Sequence, residues 1–305
     1  MEGECLMESV STRKRVDYLV LFVSVVPVLG LALAVYLLWP WGFNLTWLML
    51  FVAFYFVSAV GITVGYHRLF THSSFKTYRC VKFLFGICGS MAIEGRIVDW
   101  VCDHRKHHQC SDDEGDPHSP VFGREGVWQR FAGFLHAHYG WLLTVGSARD
   151  HEHYVPDLLK DPVVTLVDRY FLVWVFAGVL APALLGGIIL HSWKGAVLGF
   201  LWGGLVRVLF VHHVTWSINS ICHIFGTQPF RSGDSSRNNF LAGLLGMGEG
   251  WHNSHHAFPT SARHGLAWWQ LDVSWLIIRT LKLCHLAWNV KEPSKEDMDK
   301  KRTAA

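Results

Sequence analysis

No Cys-x-x-Cys pair, internal repeat or low-complexity linker occurs in these 305 residues, and each absence closes off a class. Seven cysteines, an odd number without close pairing, build neither a disulfide framework nor a thiolate zinc site. The glycines at 86, 89 and 95 follow no strand and form no phosphate-binding fingerprint, so no nucleotide fold is implied. His151-Glu152-His153 lacks the spacing of a metalloprotease helix and reads as part of a polar loop. The net charge of +3 says little about partners and gives no ground for nucleic-acid binding.

What the chain has instead is apolar length. Half its residues are hydrophobic, with 15 Trp and 20 Phe, and they are clumped. Residues 18–39 and 46–65 carry no charge, and 170–190 and 196–216 follow the same pattern, the last interrupted by Arg207. Each is long enough to cross a hydrocarbon core of roughly 30 Å as a helix. The first run continues past its Ala32-Leu33-Ala34 triplet and is too long for a signal peptide, so it reads as an uncleaved anchor. Residues 80–93 are apolar but short and suit an interfacial or re-entrant helix.

Basic residues set the expected orientation. Arg13-Lys14-Arg15 precede the first span, and segments 66–169 and 217–305 hold nearly all the other Lys and Arg, whereas the two short connections hold one Lys. Four spans with both termini and both large segments in the cytoplasm satisfy this bias. The expected layout is a tail at 1–17, a membrane domain at 18–290 and a charged, frayed tail from Lys291. Within the domain, 66–169 and 217–290 form a cytoplasmic cap.

Nineteen histidines are many, and their placement says more than their number. His67 and His72 lie beyond the second span in GYHRLFTH, and His104, His107 and His108 follow in HRKHH. His252, His255 and His256 form HNSHH beyond the fourth span, and His223 stands in NSICHIFG. On an α-helix i, i+3 and i+4 share a face, so each HxxHH is expected to aim three imidazoles at one point. The i, i+5 pair diverges by roughly 140° and suits a helix end, or a pair of metals. Nine nitrogens exceed what one ion accepts and what a closed zinc site needs. Two metals would use them and leave room for water or oxygen. Imidazole does not choose among Zn, Cu, Fe and Ni. A dinuclear iron site that activates oxygen also makes use of the membrane, where unactivated C–H bonds of acyl chains are at hand.

GYHRLFTHSSF, DHRKHHQCSDDEGDPHSP and GEGWHNSHHAFPTSARHG together resemble the three histidine boxes of membrane fatty-acid desaturases, most closely the acyl-CoA (stearoyl-CoA) delta-9 type and its bacterial relatives. The likeness runs from about Trp47 to Trp288. It implies an all-α integral membrane protein, four transmembrane helices beneath a cytoplasmic cap with a histidine-rich diiron site. It implies oxygen-dependent formation of a cis double bond in a saturated acyl chain. The nine histidines named above would hold two Fe ions, with Asn219 in WSINSICH contacting one through water. FLHAHYGW, with His136 and His138, is similar to a bacterial HAHxGW segment. Ser73 stands where an arginine is common, and His212-His213 where apolar residues are usual.

Asp103, Asp112, Asp113, Asp116, Glu249 and His138 are candidates to steady the ligands, the carboxylates by bonding their far nitrogens. The bland alternative for each is a solvated loop. Arg68, Lys76, Arg79, Lys82, Arg105 and Lys106 could bind a coenzyme A headgroup or an acidic donor, or could simply follow the positive-inside bias. Arg207 calls for a structural partner. With no flavin-like segment and no His-Pro-Gly-Gly haem motif, electrons must come from a separate ferredoxin, or from a b-type cytochrome with its NAD(P)H reductase. Three rivals stand beside this reading: an acyl-lipid desaturase, a lipid or alkane hydroxylase on the same scaffold, and a membrane metal transporter. The last would place its ligands at mid-membrane, within the spans.

Overall fold

The computed structural model describes residues 18–121, 126–143 and 149–303. The N-terminal tail with Arg13-Lys14-Arg15 lies outside them. The chain is a helical membrane protein. Among the described residues, four helices are long and apolar enough to cross a membrane: Val20–Trp41, Leu45–Thr71, Phe171–Ile189 and Trp193–His223. Two strands of two residues each, β1 (Lys76–Thr77) and β2 (Ala287–Trp288), pair antiparallel and are a small exception to the all-α expectation.

Helix α1 (Tyr18–Trp41) and the outer faces of its neighbours leave Leu29, Tyr36, Leu172 and Leu184 exposed, as lipid contact requires. Helix α2 (Leu45–Val60) starts at Asn44, whose side chain accepts from the Thr46 amide at 2.8 Å. The same rod then widens into a π-helical stretch, Gly61–Thr71. At its start Gly61 touches the backbone of Cys88 and Gly89, where a Cβ would stand 2.1 Å from an amide nitrogen. Helix α3 (Arg79–Ser90) can therefore cross it directly; at 12 residues it is too short to span.

The second and fourth rods outrun the bilayer. About 20 residues cross it, yet these have 27 and 31. At 1.5 Å per residue the surplus carries each rod well beyond the expected ends at 65 and 216. His67, His72 and His223 lie in or just after these extensions. The cap follows from α4 (Ile97–Gln109), α5 (Val127–His138) and three short helices, α6 (His151–Tyr154), α7 (Pro156–Leu159) and α8 (Pro162–Arg169).

Helices α9 (Phe171–Ile189) and α10 (Trp193–Gly199) meet through Gly186, Gly195 and Gly199, small enough for backbone contact. The rod continues as α11 (Arg207–Ser220) and a 3-10 turn ending at His223. Arg207 is fully buried and, among the described residues, has no carboxylate partner. Its guanidinium donates to the carbonyls of Gly203, Gly178 and Met91 and to the Ser58 hydroxyl, tying three spans together. The chain closes with α12 (Phe240–Leu245), α13 (His252–Ala257), α14 (Val273–Leu283) and α15 (Lys295–Lys301).

The charged tail is not frayed. Ser294 caps α15, the Arg231 amide donates to the Lys301 carbonyl at 2.7 Å, and the Thr303 amide donates to Pro229 at 3.0 Å. Lys301 Nζ reaches the Ala257 carbonyl at 2.7 Å, its cation over the Phe258 ring. These contacts offset the cost of ordering the segment.

Candidate metal centre

The nine histidines meet at one place and divide into two groups. His67, His72, His104, His108 and His255 form one; His107, His223, His252 and His256 form the other. Within each group the ligand atoms lie within 4.8 Å of one another.

Helix phase explains the division. At 3.6 residues per turn, i and i+4 differ by about 40°, whereas i+3 lies about 60° to the other side. On α4 the i, i+4 pair His104/His108 joins the larger group and His107 the smaller. On α13 the i, i+4 pair His252/His256 joins the smaller and His255 the larger. Each HxxHH thus serves both groups, which corrects the expectation of one focus per helix. The π-helix resolves the i, i+5 pair: the His72 amide donates to the His67 carbonyl at 3.2 Å, and their rings lie 4.8 Å apart. Both belong to the larger group, at a helix end as expected.

The nitrogens have the spacing of ligands around ions. Nε2 atoms face each other at 3.0 Å in His67–His255 and His108–His255, and at 3.1 Å in His104–His108 and His223–His252. Two nitrogens held at right angles about 2.1 Å from one ion stand about 3 Å apart. The Nε2 atoms of His72, His107 and His256 are buried without any partner. Lone pairs crowded this way repel unless cations lie between them, so the residues present fit two metal ions.

Carboxylates fix which nitrogen points inward. Asp116 bonds His107 Nδ1 at 3.0 Å, Asp112 bonds His223 Nδ1 at 3.0 Å, Asp234 bonds His256 Nδ1 and Glu249 bonds His67 Nδ1. Each accepts the Nδ1 proton and leaves the Nε2 lone pair free. Burial, then the neighbouring imidazoles, push His72, His104, His108, His252 and His255 well below the ordinary histidine range. His256 falls to about 4, burial outweighing Asp234. Burial would lower His107 too, but Asp116 raises it. Burial also pushes against the charge on Asp116, Asp234 and Glu249, yet their imidazole partners, and for Glu249 also Arg68, hold them below the usual carboxylate range. The result is six imidazoles held neutral in a site backed by ionised carboxylates.

Residues 45–281 match the family model described as fatty acid desaturase. The chain belongs to the fatty acid desaturase family. It is 41% identical over 287 residues to a hex-5-enoyl-[acyl-carrier protein] acetylenase of Moorena producens (strain JHB), covering 93% of this chain and 89% of that one. It is 41% identical to delta-9 acyl-lipid desaturase 1 of Arabidopsis thaliana, over 83% of this chain and 78% of that one. Against the sn-1 stearoyl-lipid 9-desaturase of Anabaena variabilis it is 37% identical, over 83% and 88%.

In this desaturase-family chain the remaining candidates scatter. Asp112, Asp116 and Glu249 back ligands, but Asp103 instead takes a bidentate bond from Arg149 at 2.8–3.0 Å. His138 bonds Ser220 and His213, each at 3.0 Å, and touches none of the nine rings; Asp113 is exposed. Asn219 is half-buried on the last turn of α11, one turn before His223. His151 pairs with Asp99, apart from both groups.

One of the basic candidates lies inside the protein and another is committed to an ion pair at its surface. Arg68 is fully buried and bonds Glu249, Asp272, the Ala262 carbonyl and His264. Arg105 spends its guanidinium on Asp157 and on the carbonyls of Phe70, Thr71 and Tyr154. Lys82 pairs with Asp161 at 2.6 Å, whereas Lys76 is exposed and Lys106 half-buried. His212 is a packing residue, donating to the Ala92 carbonyl at 2.8 Å.

Sequence reasoning missed Asp234, Glu94, His118 and His264. His118 lies 4.2 Å, ring to ring, from His107, and His264 lies 4.4 Å from His255. Both stood inside the quoted boxes as DPHSP and SARHG.

Proposed function

We propose that this chain is an oxygen-dependent desaturase that forms a cis double bond, at the delta-9 position, in a fatty acyl chain of a membrane lipid. The observation that carries the reading is the five-and-four division of nine imidazoles, seven of them buried, gathered beside the ends of two rods that outrun the bilayer. The nine histidines are the proposed ligands of two irons, with Asn219 reaching one through water. Iron held there, given O2, two electrons and two protons, would supply an oxidant able to remove two hydrogens from an alkyl chain, both oxygen atoms leaving as water.

The protein's own part is positional. Asp112, Asp116, Asp234 and Glu249 hold the Nδ1 protons, so each ring keeps its orientation. Burial of the ligands keeps bulk water away from them. Electrons come from a separate ferredoxin or b-type cytochrome with its reductase. The distribution of basic residues supports a cytoplasmic site and cytoplasmic termini in a bacterial inner membrane.

A lipid-esterified substrate is favoured over acyl-CoA because, of the cations expected to meet a coenzyme A phosphate, Arg68 is buried on Glu249 and Arg105 is already paired with Asp157. The 41% identity to an acetylenase named for an acyl-carrier-protein substrate keeps that thioester as the second reading.

The test is the fatty-acid profile, with double-bond positions and carrier class, of aerobic cells making this chain beside its His107→Ala and His255→Ala variants. A new monounsaturated acid on membrane lipid, absent from both variants, is expected. The same product on an acyl-carrier-protein thioester would move the assignment to the second reading. A hydroxy acid would move it to the hydroxylase.

A further inference from the structure

Glu94 is a half-buried acid, its Oε1 enclosed, that the metal centre does not use. It stands after α3 in a turn set by two left-handed residues, Ile93 (φ 64°) and Gly95 (φ 109°), which direct its side chain inward. One carboxyl oxygen accepts from the Trp100 indole at 3.1 Å. The other is buried without a closed hydrogen bond, although the Thr215 hydroxyl of α11 faces the carboxyl. No cation pairs with Glu94 among the described residues, whereas buried Glu249, Asp272, Asp103 and Asp116 each have a basic partner.

Its one firm partner leads to the ligands. The Trp100 ring stacks on His104 at 4.9 Å and 19° and lies 6.0 Å from His67. Glu94 touches no ligand itself. An ionised carboxylate here would be an unpaired buried charge, and its free oxygen could only accept. The neutral acid both accepts from Trp100 and donates toward Thr215, bridging the fourth rod to the wall of the larger histidine group.

We propose that Glu94 works as a neutral carboxylic acid, a positioning residue that holds Trp100 against His104, and that its ionisation uncouples the two and makes turnover fall as pH rises. Burial pushes its carboxyl up to about 7. The Thr215 hydroxyl and the Trp100 indole oppose this rise without cancelling it, and among the described residues no cation adds to them. Tyr55 of α2 and Tyr66 of the π-helix are phenols, the latter bonded to Ser90. Arg207 and His212 of α11 are occupied by the Met91 and Ala92 carbonyls. Asp168 of α8 accepts from the Ile97 and Val98 amides, Asp99 of α4 bonds His151, and Arg96 is exposed.

The activity arm rests on the desaturase reading, so the test has a second arm that does not. The full-length, iron-loaded protein in detergent is compared with Glu94→Gln and Glu94→Ala from pH 6 to pH 9. Infrared difference spectra should show a protonated-carboxyl band in wild type that disappears with a midpoint near 7 and is missing from both variants. Product formation should be equal in wild type and Glu94→Gln at pH 6. At pH 8 wild type should be about tenfold slower than Glu94→Gln, since a tenth of the acid remains neutral one unit above its midpoint. Glu94→Ala should be slow at every pH, because Trp100 loses its anchor. A missing band, or parallel profiles for wild type and Glu94→Gln, would overturn the proposal. A titrating band without any product from any variant would uphold the neutral acid and overturn the desaturase reading and its pH dependence.

Discussion

Arg68 donates to Glu249 at 3.0 Å across 181 positions of the chain, and the pair is buried beside His67. Glu249 also bonds His67 Nδ1, so one carboxylate serves a ligand and an ion pair together. Arg68→Met leaves Glu249 and Asp272 without their cation, and we expect a loss of about 3–5 kcal/mol. Thermal unfolding of the purified variant measures it. Arg68→Met combined with Glu249→Gln should cost less than the sum of the two single changes, since they share one interaction. Strict additivity would count against the pair.

The helix-phase division predicts metal content. His252→Ala and His256→Ala remove ligands of the smaller group alone, and His104→Ala and His108→Ala those of the larger. Iron bound per chain, measured on purified protein, should fall from two to one in each variant. Loss of both irons in every variant would mean that the groups act as one site.

Asp234 lies in a polar turn, 22 positions before its histidine. Asp234→Asn keeps the shape but no longer accepts a proton from His256 as an anion. Removing such a partner weakens metal retention about 10–100-fold. Competition with a chelator, followed by iron absorbance, should place the variant in that range. Asp113→Asn, on an exposed loop residue, should not differ from wild type.

Glu94 links protonation to stability. Its folded value, about 7, lies above the ordinary 4.5. Its contribution is therefore fully present below pH 4.5 and is lost as pH rises through about 7. Wild type and Glu94→Gln should melt together near pH 4, and the amide variant should be more stable at pH 8 by at most about 3–4 kcal/mol. Melting curves at the two pH values decide this. A gap of the same size at both would rule out the titration.

The spans and the nine histidines were legible because length, apolarity and HxxHH spacing are local properties of the chain. What lay between the local patterns was not. Nothing in GITVGYHRLFT announces a π-helix over an α-helix, so His67 and His72 looked divergent until the i→i+5 bond was seen. Asp234 carries no local signal, since only folding brings it to His256. Arg68 looked like a surface cation because its partners Glu249, Asp272 and Ala262 come from the far end of the chain. Glu94 carried a signal that was there to read: it is the lone acidic residue from Thr46 to Val98.

Both histidine groups draw on the two ends of the membrane domain. The larger needs His255 and the smaller His107, and α15 fastens α13 through Lys301. During synthesis the first two boxes therefore emerge long before either cage has its full complement. Neither can close until the third box, with His252, His255 and His256, has been made. Metal acquisition on this scaffold then waits on the third box, and an intermediate that ends before it would present loose imidazoles rather than half of a working centre.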